Sequence, residues 1–420
     1  MKGPRRSLKI VIKLGTSSIV DETTHEPILS NLTLIVETVA KLQREGHEVV
    51  IVSSGAVGVG LRRMNVDKRP TSLSKLQALA AVGQCQLIAL WDSLFAHLRI
   101  PIAQILMTRN DIVDRTQYVN AQNTLSELLS MGIVPIVNEN DTIAVSEIKF
   151  GDNDTLSAVT AAMVEADYLF LMTDVDGLYT ANPRTDPLAQ VIDVVPDISC
   201  LTADVSSAGS ALGTGGMGSK IVAARLATSA GVTTVITRSS RPGNVDDILE
   251  YIESLDSTAS DDGHASDEGR STPPLHTRFL ASEYPMESRS FWLLHGLAPH
   301  GTIYIDEGAY QAILTKNSLL PAGVIDVKGH FGHLEAVSIV VTSRRDYPGE
   351  LNGDFPHQGS EKEVGRALVN YGSPELSRIK GLRSSQIQSV LGYAESEYVA
   401  LRENIAFFDE ASRMGSPEAD

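Results

Sequence analysis

Two lysines stand where a chain could handle phosphate. Lys13 comes near the end of an apolar run, Leu8-Lys9-Ile10-Val11-Ile12-Lys13-Leu14, and is followed by Gly15-Thr16-Ser17-Ser18. Glycine lets backbone approach a ligand. The three hydroxyl residues place N–H and O–H donors at a helix start, where anions are favoured. A strand-end lysine can also snorkel to water or pair with a carboxylate, and its residue type alone does not separate these uses. Lys220 ends the stretch Gly213-Thr214-Gly215-Gly216-Met217-Gly218-Ser219-Lys220. A glycine-rich loop running into a helix is a phosphate cradle, because no side chain blocks its N–H groups and the helix dipole adds partial positive charge. Residues 213–218 also satisfy G-x-G-x-x-G. That dinucleotide fingerprint belongs after the first strand, however, and no Gly-Lys-Ser/Thr of a Walker A loop is present.

Asp141, Asp152, Asp154 and Asp174 accompany the lysines, on Asn138-Glu139-Asn140-Asp141, Gly151-Asp152-Asn153-Asp154 and Thr173-Asp174. Carboxylates beside a phosphate cradle can orient lysines, hold Mg²⁺ or bind a substrate ammonium. Each can equally cap a helix or turn, and Asp154 is a fair N-cap for the helix after it. Asn140 and Asn153 can be turn formers. Thr173-Asp174-Val175-Asp176-Gly177 has too few ligands for an EF-hand loop.

The elements that must position these residues alternate. Apolar strands are predicted at 8–14, 49–52, 102–107, 133–137, 168–172 and 232–237. Helices are predicted from Ser30 as N-cap to a stop at Gly46, and over 76–98, 118–129, 155–165 and 219–230. Strands without polar alternation, separated by amphipathic helices, mean an α/β fold: an open, mostly parallel sheet sandwiched by helices. Ligands of such a sheet bind beyond the carboxyl ends of its strands, and every polar loop named above, with Ser53-Ser54-Gly55, falls at a strand end or a helix start. This domain is expected over 1–255. An acidic flexible linker is expected over 256–277, since 256–274 carry almost nothing to bury. A small β-rich domain is expected over 278–405, with strands at 291–294, 301–305 and 335–341, one helix at 307–315 and a surface loop at 346–362, before a tail at 406–420.

Composition removes several function classes. With 42% hydrophobic and 21% charged residues, the chain has ample core for a globular protein. Fifty-two acidic against 35 basic residues give a net charge of −17, the wrong sign for generic nucleic-acid binding. Arg378, Lys380 and Arg383 read as a solvated face. Cys85 and Cys200 make no disulfide framework and are expected as reduced, mostly buried thiols. No signal peptide and no 18-residue apolar run is read, so the expectation is a cytoplasmic protein with no membrane partner.

Taken together, the motifs resemble the glutamate 5-kinase family of amino-acid kinases. The resemblance runs through Val11-Ile12-Lys13-Leu14-Gly15-Thr16-Ser17, Ser53-Ser54-Gly55-Ala56 and Val137-Asn138-Glu139-Asn140-Asp141. It continues through residues 148–158, Thr173-Asp174-Val175-Asp176-Gly177-Leu178-Tyr179-Thr180 and the 213–220 loop, in order and spacing over about residues 8–255. The chain after the linker is similar to a PUA domain. The resemblance implies an amino-acid kinase fold and transfer of the ATP γ-phosphoryl to the side-chain carboxylate of L-glutamate, the opening step of proline synthesis. It implies Lys13 and Lys220 at the transferred group, with Asp154 orienting them. It puts glutamate on Ser54, Gly55, Asp141 and Asn153. It puts the nucleotide on Lys13, Gly15, Thr173, Asp174, Thr214, Gly215, Gly216, Met217, Gly218, Ser219 and Lys220. Mg²⁺ enters mainly through ATP, with no metal ligands assigned to the chain. Proline is the implied inhibitor and a homo-oligomer the implied state. Gly218 and Ser219 stand where bacterial relatives tend to have Ser-Thr. Two rivals stay open: a kinase for aspartate, acetylglutamate or carbamate, and an RNA-binding regulator on a degenerate kinase scaffold.

Overall fold

A computed structural model of the chain describes residues 6–143, 153–181, 186, 188–198, 201, 216–259, 272–283, 285–342, 363–394 and 396–408. Two compact units, Met1–Pro285 and Met286–Asp420, each hold a sheet and a core.

The first unit is built on eight strands: β1 (Lys9–Leu14), β2 (Glu48–Ser53), β3 (Ile102–Met107), β4 (Val134–Glu139), β5 (Tyr168–Thr173), β6 (Val194–Val195), β7 (Thr233–Arg238) and β8 (His276–Phe279). Their order is β3-β4-β2-β1-β5-β7-β8-β6. From β3 to β7 every pair is parallel, and β8 runs antiparallel to β7. Nearly every residue of β1, β2, β4 and β5 is buried, the signature of a sheet covered on both faces. The helices are α1 (Thr16–Ile19), α2 (Leu29–Arg44), α3 (Ala56–Arg63), α4 (Leu73–Ala96), α5 (Arg109–Val113), α6 (Arg115–Ser130), α7 (Asn153–Met163), α8 (Met217–Ser229) and α9 (Asn244–Ala259). α4 is long and apolar enough to cross a membrane by length and composition. Its Leu79, Leu87, Trp91 and Phe95 are buried.

Several expectations shift. α2 begins at Leu29 with no side-chain cap, so Ser30 lies inside its first turn. Tertiary contacts set the entry instead: the Ile28 N–H donates to Ile19 O, and the Asn31 amide donates to Ser18 O. α9 continues through Ala259, so the linker expected from 256 opens as helix; its residues 260–271 lie outside the described residues. Cys85 is exposed on α4 and not buried, and Cys200 lies outside the described residues.

The second unit holds β9 (Gly301–Ile305), β10 (Val324–Gly329), β11 (Ala336–Val341), β12 (Glu363–Leu368) and β13 (Ile405–Phe407), ordered β10-β9-β11-β12-β13. β9 and β11 are parallel and the other neighbours antiparallel. Helices α10 (Ser288–Phe291), α11 (Glu307–Leu314), α12 (Ser373–Ile379) and α13 (Ile387–Leu391) pack with it, more than the one helix expected. Phe291-Trp292-Leu293-Leu294, expected as a strand, ends α10 and forms a π-helical turn over Trp292–Gly296. All four residues are buried, and a short apolar run has no periodicity to tell strand from buried helix. Ala406 and Phe407, expected in the tail, pair with β12. The loop expected at 346–362 lies outside the described residues.

One crossing in the first unit fixes the approach to β2. A Cβ on Gly83 of α4 would stand 1.7 Å from the Ala56 carbonyl oxygen, and one on Gly60 of α3 would stand 2.0 Å from that of Leu79. The two backbones therefore touch directly. Gly83→Ala is expected to lower stability by at least ~1–3 kcal/mol through overpacking. Gly243→Ala, where a Cβ meets nothing within 4 Å, should stay within about 0.5 kcal/mol of wild type. Thermal denaturation of the two variants checks the pair.

Candidate active site

Residues Leu14, Ser53, Glu139, Thr173 and Arg238 end five adjoining parallel strands, so the polar loops that follow share one edge of the sheet. Backbone pairing brings the turn after β2 back to β1, where the Ser54 N–H donates to Leu14 O at 3.1 Å. Gly55 adopts φ +100°, the left-handed conformation that turns the chain into α3.

At this edge Lys13 of β1, Asp154 of α7 and Lys220 of α8 meet. Lys13 Nζ pairs with Asp154 Oδ1, and Lys220 Nζ lies 3.4 Å from Asp154 Oδ2. Ser219 Oγ donates to Oδ2 at 2.7 Å. The carboxylate is wholly buried, and the lysine side chains are only 6% and 7% exposed. Burial would raise the Asp154 carboxyl and is the largest single influence on it. The charges of Lys13 and Lys220, with hydrogen bonds from Lys13 and Ser219, outweigh it and hold the carboxyl at about 2. One negative charge thus gathers two positive ones out of water, leaving net positive charge at a strand end. A Cβ on Gly15 would meet Lys13 Nζ at 3.8 Å, so glycine keeps the approach to that ammonium open.

The neighbouring residue of α7 serves a second cluster. Asn153 Nδ2 donates to Ser54 Oγ at 2.8 Å and to Asn138 Oδ1 at 3.0 Å, and the Asn138 oxygen also accepts from the Glu139 N–H. Asn153 Oδ1 and Asn138 Nδ2 are buried and have no hydrogen-bond partner among the described residues. One is an acceptor and the other a donor, as an amino acid's ammonium and carboxylate require. Asp141 follows in the turn after β4 and is partly buried.

On the other flank the Thr173 hydroxyl donates to Asp174 Oδ1 at 3.1 Å, and Asp174 is exposed. Arg238, paired in register with Thr173, clamps Asp176 through Nε and Nη2, both at 2.7 Å. β8 buttresses this turn: Thr277 Oγ1 accepts from the Leu178 N–H at 2.7 Å. Gly216, Met217, Gly218 and Ser219 form the start of α8, whereas Thr214, Gly215 and Asp152 lie outside the described residues.

The sequence-based reading missed three features. Asn138 carries no expected role, although its place beside Glu139 and Asn140 at a strand end is the available signal. The Arg238–Asp176 clamp joins residues 62 apart, and no local pattern announces it. The contact of Ser219 with Asp154 depends on how two helices face each other. Asp154, weighed as an N-cap, spends its side chain on the lysines.

Known proteins share this arrangement of sequence. The amino acid kinase family matches residues 9–238, and the PUA domain matches residues 301–391. A protein of Schizosaccharomyces pombe named "Probable glutamate 5-kinase" is 55% identical over 405 residues, covering 96% of this chain and 94% of that one. A "Glutamate 5-kinase" of Cyanothece sp. is 46% identical over 398 residues, covering 94% and 98%. Among solved structures, carbamate kinase from Giardia lamblia bound to AMP-PNP aligns with TM-score 0.45 at 15% identity, covering 66% of this chain and 99% of that one.

The ion cluster makes a stability prediction. Asp154→Asn leaves two buried ammonium groups without their counter-charge and is expected to cost about 3–5 kcal/mol near neutral pH. Because the carboxyl is depressed in the fold, its contribution is full above its ordinary value of 3.8 and fades as pH falls toward 2. Chemical denaturation of wild type and variant from pH 7 downward should show a constant gap that narrows below about pH 4.

Proposed function

The chain belongs to the amino acid kinase family, among the glutamate 5-kinases that carry a PUA domain, and we propose that it transfers the γ-phosphoryl of ATP to the side-chain carboxylate of L-glutamate. The products are ADP and L-glutamyl 5-phosphate, an intermediate that opens proline synthesis. The observation that carries this reading is the pair of buried lysines held on one carboxylate at the edge where the glycine-rich loop enters α8.

Phosphoryl transfer asks little covalent help from a protein. It asks that the attacking oxygen lie in line with the bond being broken, and that cations sit where charge accumulates. A glutamate carboxylate oxygen forms the new bond to phosphorus while the bond to the β-phosphate oxygen breaks, so no phosphoenzyme is needed. Both reactants are anions, and a net charge of −17 repels them at long range. Local positive charge has to overcome this. Lys13 and Lys220 supply it at the migrating group, and Asp154 keeps their ammonium groups converged. The N–H groups opening α8 and those at Thr16 and Ser17 extend it along the phosphates.

Ser54, Gly55, Asn153 and Asp141 hold glutamate on this reading. Asp141 takes its ammonium, and N–H groups near Ser54 and Gly55 take a carboxylate. The orphaned Asn153 Oδ1 and Asn138 Nδ2 find partners on the same ligand. Thr173, Asp174 and the 214–220 segment line the nucleotide. The donor set fits an Mg²⁺ carried by ATP: both Asp154 oxygens are engaged by the chain, Asp176 is clamped by Arg238, and Asp174 is an exposed carboxylate on the nucleotide flank that could reach such an ion. When bound, the ion neutralises charge on the β- and γ-phosphate oxygens.

Two measurements test the assignment. In an ADP-release assay with glutamate, aspartate, acetylglutamate and carbamate, glutamate should turn over fastest. Lys13→Ala and Lys220→Ala, assayed below the melting temperature of each variant, should each lose on the order of 10²–10³ in rate; wild-type turnover in Lys220→Ala would defeat the mechanism. Separately, Asp141→Ala should raise the glutamate KM far more than the ATP KM, and equal changes would count against its place on the ammonium.

A further inference from the structure

We infer that Ser219 is a positioning residue for the phosphoryl transfer, holding the Asp154 oxygen from which Lys220 must turn as the phosphoryl group passes. The inference rests on the function proposed above and adds a role for a hydroxyl otherwise expected at the nucleotide.

The two sides of Asp154 are not alike. Oδ1 is tightly paired with Lys13, whereas Oδ2 takes the Ser219 hydroxyl at 2.7 Å and stands 3.4 Å from Lys220 Nζ. A charge-assisted N–H···O bond normally measures about 2.7–2.9 Å. The serine, and not the lysine, is therefore the near donor to Oδ2. Its hydroxyl has one proton and two acceptors within reach, Asp154 Oδ2 and the Gly216 carbonyl at 2.8 Å. The charged acceptor holds that proton more strongly.

Motion of Lys220 toward a phosphoryl group would take a donor from an oxygen that is wholly buried. A buried charged oxygen left without a donor raises the energy of the very state to be stabilised. Ser219 removes that difficulty, because Oδ2 already has a short bond that does not depend on the lysine. The serine also opens the same helix as Lys220, one residue before it, and its other acceptor, Gly216, is the residue from which α8 starts. Carboxylate, helix start and ammonium thus stay in register while the lysine changes partner. Neither local spacing nor composition announced this, because Asp154 lies 65 residues away in the chain.

The test is steady-state kinetics of the full chain with ATP and glutamate, for wild type, Ser219→Ala, Ser219→Thr and Lys220→Ala, with thermal melts as the fold check. Ser219→Ala is expected to lose about 10- to 100-fold in kcat, the range for a hydrogen bond to a charged group, with both KM values within about twofold. Ser219→Thr, which restores the hydroxyl, should recover most of kcat. An unchanged kcat in Ser219→Ala overturns the inference. So does a raised ATP KM with intact kcat, which would make the serine a nucleotide ligand. Should Ser219→Ala fail to fold, Ser219→Cys carries the same question: the thiol is a weak donor, so reduced kcat with steady KM supports the role and full kcat overturns it. Lys220→Ala keeps the two claims apart. Its retention of turnover would defeat the phosphoryl-transfer reading, while a dead Lys220→Ala beside a fully active Ser219→Ala defeats only the serine's role.

Discussion

A single carboxylate buried between two ammonium groups is the constraint around which the first unit is arranged. Asp154 is fully removed from water, and a lone charge there would be prohibitively costly. It is tolerable only because Lys13 and Lys220 arrive from two other elements, and they are tolerable only because it is there. The three residues come from β1, α7 and α8, so the cluster forms only after strand and helices have packed. Such a cluster is weak evidence for stability in itself, since apolar residues could fill the same volume. Its value lies in what it leaves over, an excess positive charge at the mouth of a sheet in a strongly acidic chain.

Much of this was legible in the sequence because the sheet is covered on both faces. Strands in that setting are unbroken apolar runs, and those at 8–14, 102–107, 133–137 and 168–172 stand out between amphipathic helices. Polar strand ends then have one direction to face, so Lys13, Asp154 and Lys220 could be named from motif and place alone. Their convergence could not be read from one dimension, because the contacts join residues 66 and more apart. The least legible pieces are those decided by tertiary contact. β8 is four residues long and joins the first sheet through pairing with β7. The glycines at 60 and 83 look like helix-weakening residues until the crossing of α3 and α4 shows that nothing larger fits.

The second unit shows the opposite case. Its strands β10 and β12 are partly exposed without a clean alternation, and Phe291 to Leu294 carry no polar residue to reveal a period. Local pattern found β9, α11 and β11. It missed the strands β10, β12 and β13 and the helices α10, α12 and α13, which at 4, 7 and 5 residues are too short to show a helical period. The match to a PUA domain over 301–391 covers the middle of this unit, while α10 and β13, which flank that span, complete its packing.

The first turn of α7 has a further consequence. Asn153 reaches Ser54 and Asn138, and Asp154, its neighbour in the chain, reaches the lysines. On the function proposed above, acceptor seat and cation cage are thus bolted to one peptide unit, whose Cα atoms stand about 3.8 Å apart. The helix start behaves as a ruler with two marks that cannot be moved separately. Retuning such a protein for an acid one methylene shorter would be a matter of shifting a helix, not of swapping a side chain.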